Sequence, residues 1–99
     1  MSGQFRPCGL IPTYDNPTTV GAVVLALREH LPVVVVDDGS GPQGRAAVEA
    51  IGREGLAHVH HRARNGGKGA AVTSGFQVAR ELGYTHALQV DADGQHELG

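Results

Sequence analysis

The stretch Val33-Val-Val-Val-Asp-Asp-Gly-Ser40 decides the fold class of this 99-residue chain. Four β-branched residues in a row, without polar alternation, are typical of a strand that is covered on both faces, as in a parallel sheet. The strand ends in two carboxylates and a polar, glycine-rich turn. Because ligands of open parallel sheets bind outside the carboxyl ends of the strands, this turn is a candidate binding site.

Three further apolar segments predict strands on either side of this one, over residues 8–11, 56–61 and 86–90. Apolar residues at helical spacing predict helices between them, the first from Asn16–Pro17 to Leu31, the others over residues 45–54 and 68–82. Asn16 is expected to cap the first helix, since its side-chain oxygen can accept from free backbone N–H groups. The order β-α-β-α-β-α-β predicts one α/β domain over residues 1–99, with a parallel sheet in a three-layer α/β/α arrangement.

Composition excludes several classes of protein. Eight Lys and Arg against ten Asp and Glu give a net charge of −2, which argues against a nucleic-acid-binding surface and against a disordered chain. The lone cysteine, Cys8, cannot form an intrachain disulfide, and it favours a reducing compartment. No apolar run approaches the ~20 residues of a membrane span. The sequence therefore predicts a cytoplasmic location and no membrane span in this chain.

Polar residues gather where the predicted strands end, over residues 12–16, 37–40 and 91–96, and where the third helix begins, over residues 65–69. All four segments are expected along one rim of the sheet. Asp91 and Asp93 lie two apart in the sequence, so in an extended chain their carboxylates point the same way. Such a pair suits Mg²⁺ or Mn²⁺ bridging to a diphosphate. The alternative is a solvated turn in which the aspartates cap backbone N–H groups.

Individual residues of this rim suggest further roles. Tyr14 can stack on a nucleobase, or pack at the edge of its loop. Lys68, among glycines at a helix start, predicts an anion site, with an ordinary surface lysine as the alternative. The adjacent carboxylates Asp37 and Asp38 repel each other, so one is expected to face the loop backbone and the other a ligand.

Other motifs fail on their spacing. A Walker A loop needs glycine where Arg62 stands and serine or threonine where Gly69 stands. The glycines around Lys68 also lack the third glycine of a dinucleotide fingerprint. His58 and His60 share a strand face, but two ligands without a third make a poor zinc site.

The chain resembles the family 2 glycosyltransferases with the GT-A fold. The resemblance rests on Ile11-Pro-Thr-Tyr-Asp-Asn16, Val34-Val-Val-Asp-Asp-Gly-Ser40, Arg64-Asn-Gly-Gly-Lys-Gly69 and Val90-Asp-Ala-Asp-Gly-Gln-His96. The nearest subgroup is similar to dolichyl- and undecaprenyl-phosphate sugar transferases. The resemblance spans nearly all of residues 7–96. It implies the Rossmann-like N-terminal half of the GT-A fold, a UDP- or GDP-linked sugar donor, and Mg²⁺ or Mn²⁺ at an aspartate-x-aspartate motif.

The resemblance also implies roles for single residues. Pro12 and Tyr14 would flank the base, Asp38 would contact base or ribose, and Gln95 would contact the sugar or diphosphate. Asn16 stands where the family often has a carboxylate. Together with Lys68, the expected donor-binding residues are Pro12, Tyr14, Asn16, Val36, Asp38, Asp91, Ala92 and Gln95. The expected metal ligands are Asp91 and Asp93.

The resemblance further implies a catalytic base and acceptor-binding loops beyond the aspartate motif. Inverting transfer needs a base that deprotonates the acceptor, and no carboxylate outside the nucleotide rim is a candidate. The chain is therefore expected to be the nucleotide-binding half of a truncated glycosyltransferase, with no catalytic residue assigned.

Two alternatives remain open. One is a non-catalytic domain that binds nucleotide or self-associates, because an open strand over residues 86–90 favours a homo-oligomer. The other is a haloacid-dehalogenase-type phosphatase with Asp91 as nucleophile. That family places this motif on its first strand, whereas here three βα units precede it.

Overall fold

The computed structural model describes residues 4–93 of the chain. Strands and helices alternate in the predicted order: β1 (Pro7–Thr13), α1 (Val20–Leu27), β2 (Val33–Asp38), α2 (Pro42–Arg53), β3 (His58–Arg62), α3 (Lys68–Glu81) and β4 (His86–Gln89). The strands form one parallel sheet in the order β3-β2-β1-β4. The predicted α/β fold with a parallel sheet is confirmed, and it brings the carboxyl ends of β1, β2 and β4 to the same edge.

The valine run of β2 shows why the domain has three layers. Val33 and Val35 pack into a cluster with α1 and α2, while Val34 and Val36 pack on the opposite face with α3. All four side chains are buried, as expected for a central strand of a parallel sheet. Glycine allows α3 its close approach to the sheet, because a Cβ on Gly75 would overlap the side chain of Leu10.

The first helix is shorter than predicted. The side-chain oxygen of Asn16 accepts hydrogen bonds from Thr13 Oγ1 and Tyr14 N, each at 3.3 Å, and therefore does not cap α1. Its backbone carbonyl accepts from Val20 N at 3.1 Å, which closes the turn before the helix. The predicted helix start at Asn16 is wrong because a nearer loop competes for the side chain, and the helix ends at Leu27, four residues before the predicted end.

Smaller differences occur at other element ends. The second helix begins three residues earlier than predicted, at Pro42, because proline fits the first helical turn without losing a hydrogen bond. The third strand begins at His58 because Leu56 N still donates to Ile51 O, at 3.1 Å, in the turn that ends α2. Within residues 4–93, no helix combines the length and apolar character that a membrane span requires.

Candidate functional site

A cleft of about 210 Å³ opens at the carboxyl end of the sheet. Its walls come from the end of β1 and the loop after it, the last residue of β2, the first turn of α3 and the segment after β4. The lining residues are Pro12, Thr13, Tyr14, Asn16, Asp38, Lys68, Ala71, Asp91, Ala92 and Asp93. The four polar segments that the sequence places along one rim thus contribute to a single cleft.

Most of the residues expected to bind the donor line this cleft. Val36 is an exception, because its side chain is fully buried in the cluster beneath α3 and does not face the cleft. Gln95 lies outside the described residues. The cleft also includes Thr13 and Ala71, which sequence analysis missed. Their positions offered a signal, since Thr13 adjoins the expected Pro12 and Ala71 follows Lys68 by about one helical turn.

Asp38 lies at the floor of the cleft and is only 2% exposed. Its Oδ1 accepts from Arg62 Nε at 2.7 Å and from Gly66 N at 3.1 Å. Its Oδ2 accepts from Gly67 N at 2.9 Å, and from Asn65 Nδ2 and Gly66 N at 3.2 Å each. The carboxylate therefore lies at the N-terminus of α3, where the helix dipole favours negative charge. Two N–H groups of the anion site predicted around Lys68 donate to this side chain.

Asp37 is also buried, but on the opposite face of the sheet. Its Oδ1 accepts from Ser40 N at 3.1 Å, and its Oδ2 lies 2.8 Å from His61 Nδ1. The sheet register explains this pairing, because Asp37 lies beside His61 and Asp38 beside Arg62 across β2 and β3. Asp37 faces the loop backbone, as expected for one of the two aspartates. Asp38 lines the cleft, and hydrogen-bond donors of the protein also engage it. Its expected contact with a ligand stays a prediction.

The aspartates that follow β4 have a more exposed setting. Lys68 Nζ lies 2.5 Å from Asp91 Oδ1, and the two side chains are 58% and 45% exposed. Asp93 is exposed as well. Between them, Ala92 is buried, and its carbonyl accepts from Thr19 Oγ1 at 2.8 Å. This bond ties the aspartate segment to the start of α1, a role for Thr19 that the sequence did not reveal.

The loop that carries Tyr14 is tied to the loop after β2. Asp15 adopts a left-handed backbone conformation, with a φ of 54°, and its N–H donates to Ser40 Oγ at 2.9 Å. In return, Gly41 N donates to Asp15 Oδ1 at 2.8 Å. These two bonds fix the backbone beside Tyr14, whose exposed side chain lines the cleft. The loop can therefore present an aromatic face to a planar ligand.

Two carboxylates, Asp91 and Asp93, border the cleft and could take part in holding a divalent cation. Among residues 4–93, no three histidine, cysteine, aspartate or glutamate side chains are grouped as a metal site of their own. Mg²⁺ usually binds one or two carboxylates and completes its shell with water and substrate phosphates. The donor set therefore fits a cation that arrives together with a diphosphate.

The lone cysteine lies away from the cleft chemistry. Cys8 is fully buried in the cluster beneath α3, and this burial raises the pKa of its thiol. A raised pKa keeps the thiol protonated and unreactive near neutral pH. We therefore assign it to the core.

Comparison with known proteins identifies the family. Residues 9–98 match the family described as glycosyl transferase family 2. The chain belongs to glycosyl transferase family 2. This family 2 chain is 36% identical over 97 residues to a polyprenol monophosphomannose synthase of Mycolicibacterium smegmatis, with 92% of the chain and 36% of the relative covered. It is also 36% identical over 97 residues to an undecaprenyl-phosphate mannosyltransferase of Micrococcus luteus, with 93% of the chain and 40% of the relative covered.

A solved structure supports the fold of this family 2 chain. The crystal structure of S. aureus TarS 1-349 superposes with a TM-score of 0.65 and 24% sequence identity, covering 90% of this chain and 28% of that one. At this identity the likeness concerns the fold. The chain spans well under half the length of the curated relatives that it matches.

Proposed function

We propose that this chain binds the nucleotide diphosphate sugar donor of a family 2 glycosyltransferase. The observation that carries the proposal is the cleft itself, where residues from four separate segments meet at the carboxyl edge of the sheet. The cleft has a volume of about 210 Å³ and lies at the edge where ligands of open parallel sheets bind. We assign the nucleotide and its diphosphate to these residues.

The relatives suggest which reaction the donor serves. The names of both relatives describe the transfer of mannose to a polyprenol or undecaprenyl phosphate. We propose the same reaction class, transfer of a hexose to a polyprenyl phosphate, for the protein to which this donor site belongs. The lone Cys8 supports a reducing, cytoplasmic location.

Each side chain of the cleft has a distinct task in this proposal. Tyr14 offers its ring to the base, a contact that is insensitive to base identity because every base has a π-face. When the donor binds, the ammonium group of Lys68 contacts the diphosphate and shares its hydrogen bonds between the phosphate oxygens and Asp91. Lysine serves here as a point charge for phosphate oxygens. The buried Ala92 lets the chain pass close to the nucleotide.

Asp91 and Asp93 would hold Mg²⁺ or Mn²⁺ together with the diphosphate. The cation would supply charge stabilisation to the departing nucleoside diphosphate. Neither buried aspartate of β2 fits the role of general base, because Asp37 and Asp38 already accept hydrogen bonds from neighbouring groups. We assign no general base to this chain.

Isothermal titration calorimetry with UDP and with GDP tests the proposal on the 99-residue chain. We expect one of them to bind with Mg²⁺ or Mn²⁺ present, and binding to disappear in EDTA. Asp93→Asn should weaken binding at least ~10-fold, which corresponds to about 1.4 kcal/mol. A nucleotide affinity that changes neither in EDTA nor in Asp93→Asn would contradict the proposed metal and its proposed ligands.

A matched control removes a similar charge elsewhere. Glu81 is exposed at the far end of α3. It lies thirteen positions after Lys68 in this helix, or about 20 Å away at 1.5 Å per residue. Glu81→Gln should leave nucleotide affinity unchanged. An equal loss in both variants would point to net charge and not to a site.

We also propose that this chain self-associates through β4. Within residues 4–93, β4 is an outer strand of the sheet, and its Leu88 is 58% exposed. An open edge of this kind is a template for pairing with a second copy. Sedimentation velocity should show a dimer or larger species that Leu88→Lys shifts toward monomer. A monomer at high concentration in the wild type would contradict this.

A further inference from the structure

We propose that Thr19 positions the aspartates that would hold the divalent cation, by fixing the peptide group that joins Ala92 to Asp93. This inference rests on the proposed donor-binding function and adds to it a residue that is not among the described residues lining the cleft. The observation that carries it is a hydrogen bond of 2.8 Å from Thr19 Oγ1 to the carbonyl oxygen of Ala92, which joins two segments 73 residues apart.

The hydroxyl of Thr19 has an unusual partner for its position. Thr19 immediately precedes α1, and a threonine there usually accepts a hydrogen bond from a backbone N–H of the first helical turn. Within residues 4–93, its side chain makes no such capping bond and donates instead to Ala92. The hydroxyl therefore joins the start of α1 to the aspartate segment.

Thr19 is itself held in place. Its N–H donates to Asn16 O at 3.3 Å, and its carbonyl accepts from Val23 N at 3.2 Å in the first turn of α1. The residue is half-buried, and its side chain is β-branched, so few rotamers are open to it. The hydroxyl is therefore presented to Ala92 from a fixed point beside α1.

Ala92 contacts the start of α1 through its methyl group as well as its carbonyl. The residue is 3% exposed and belongs to the core cluster that includes Val20 and Val24. Its carbonyl is part of a planar peptide group that leads directly to Asp93. Fixing this carbonyl therefore fixes the direction in which the chain enters Asp93.

Hydrogen bonds restrain the aspartate segment at two points. Val90 N donates to Leu10 O of β1 at 2.9 Å, just before Asp91, and the bond from Thr19 follows just before Asp93. The first bond joins two backbone groups, whereas the second can be removed by a side-chain substitution. Thr19 is therefore the residue through which the placement of these aspartates can be tested.

The binding of a divalent cation depends on where its carboxylate ligands lie. Mg²⁺ requires near-ideal octahedral geometry, and a site needs its ligands held within about 0.5 Å of the productive arrangement. Without the bond from Thr19, the aspartate segment would have to be ordered when the cation and the diphosphate bind, and this ordering lowers affinity. We therefore expect loss of the Thr19 hydroxyl to weaken metal-dependent binding.

The experiment measures Kd by titration calorimetry with Mn²⁺ present, for inorganic pyrophosphate and for whichever of UDP and GDP binds the wild type. Thr19→Val removes the hydroxyl and keeps the branched shape of the side chain. We expect both Kd values to rise by a similar factor of ~5, the equivalent of one neutral hydrogen bond, because both ligands carry the diphosphate and its cation. Thr19→Ser keeps a hydroxyl and should recover most of that factor.

Thr18→Val is the matched control, because it makes the same change one residue earlier, at an exposed position. Its Kd values should equal those of the wild type. The inference is overturned if Thr18→Val loses as much affinity as Thr19→Val, if Thr19→Ser recovers none, or if only the nucleoside diphosphate binds more weakly. A wild type that binds neither UDP nor GDP overturns the proposed function itself, whereas binding that Thr19→Val leaves unchanged overturns only this inference.

Urea unfolding separates positioning from a merely structural role of Thr19. A structural role would lower the free energy of unfolding and leave the Kd of the folded variant unchanged. The unfolding curves give the folded fraction of each variant under the conditions of the titration. A difference in Kd that disappears after correction for this fraction would overturn the inference.

A measurement on the wild type alone tests the inference should Thr19→Val not fold. The ¹⁵N relaxation of the chain without ligand reports the order of each backbone amide. We expect the amide of Asp93 to be as ordered as those of α1, with an order parameter of ~0.85. An order parameter at Asp93 below those of α1 would overturn the inference, because the bond from Thr19 would then not hold this segment.

Discussion

The carboxyl ends of β2 and β4 each present two aspartates, yet the two pairs differ in nearly every physical respect. Asp37 and Asp38 are 1% and 2% exposed and accept hydrogen bonds from neighbouring segments. Asp91 and Asp93 lie at the surface of the cleft, and Asp91 is paired with a lysine that is itself exposed. Donors of the protein hold the first pair, of which only Asp38 lines the cleft, and the second pair is in a position to meet a charged ligand.

The neighbours of each strand explain the difference. β2 is an inner strand, and β3 and the start of α3 surround its end with a guanidinium, an imidazole and backbone N–H groups. β4 is an outer strand of the described sheet, so its end is less enclosed. The same residue type is therefore enclosed or left accessible according to how many donors the fold brings beside it.

The largest expected contrast between the two ends is in stability. Asp38→Ala leaves Arg62, whose side chain is 27% exposed, without its carboxylate partner. Removing one member of a fully buried ion pair costs about 3–5 kcal/mol, and the loss here should approach that range without exceeding it. Asp93→Ala, at an exposed position, should cost less than ~1 kcal/mol. Urea unfolding of both variants measures the free energies. Similar losses in the two variants would break the comparison.

A second contrast concerns the backbone at the end of β2. Gly39 and Gly55 both have a left-handed φ, 77° and 74°, but only a Cβ on Gly39 would meet other atoms within 4 Å. Alanine at either position carries a conformational cost of about 1–2 kcal/mol. At Gly39 the overlap with the loop before α3 should add about 1–3 kcal/mol. Thermal or urea unfolding that ranks the two variants equally would show that the loop is not packed against β2.

The exposed end should show the opposite behaviour, with a large effect on binding and a small one on stability. Lys68→Met should change the free energy of unfolding by less than ~1 kcal/mol. It should weaken nucleoside diphosphate binding ~10-fold or more, because a charged hydrogen bond is worth about 1.5–3 kcal/mol. Arg80→Met, an exposed cation in the last turn of α3, is the control and should leave affinity unchanged. Equal nucleotide affinity in Lys68→Met and the wild type would show that Lys68 does not contribute to binding.

The smallest expected effect is on the pH dependence of stability, and it comes from the buried thiol of Cys8. Cys8 is buried among apolar side chains, and this burial raises its pKa. The unfolded thiol ionises near pH 8.5, and the folded thiol ionises only at a higher pH. The stability that depends on this group is complete below the unfolded pKa and falls as the pH rises toward the folded pKa. Between pH 7 and pH 9 the wild type should therefore lose more stability than Cys8→Ala in urea unfolding. Identical pH dependence in both proteins would contradict this.

Sequence patterns predicted the fold and the cleft better than they predicted the hydrogen bonds within it. The valine run and the helical spacing are local signals, and they identified the layers and the common edge of the strands. The partners of Asp38 were not predictable, because they depend on a register that places Arg62, 24 residues later, beside it. The start of α1 was missed for a similar reason. The side chain of Asn16 could cap the helix or accept from Thr13 and Tyr14, and the sequence alone does not show that the folded loop favours the second arrangement.

The central claim is that one cleft at the carboxyl edge of the sheet receives the nucleotide diphosphate. Amide NMR spectra of the ¹⁵N-labelled chain, titrated with UDP or GDP and Mg²⁺, test it most directly. We predict that the largest chemical-shift changes fall on Tyr14, Lys68 and Ala92. Changes concentrated at the amino ends of the strands, at Cys8, Val33 and His86, with residues 91–93 unaffected, would contradict the account.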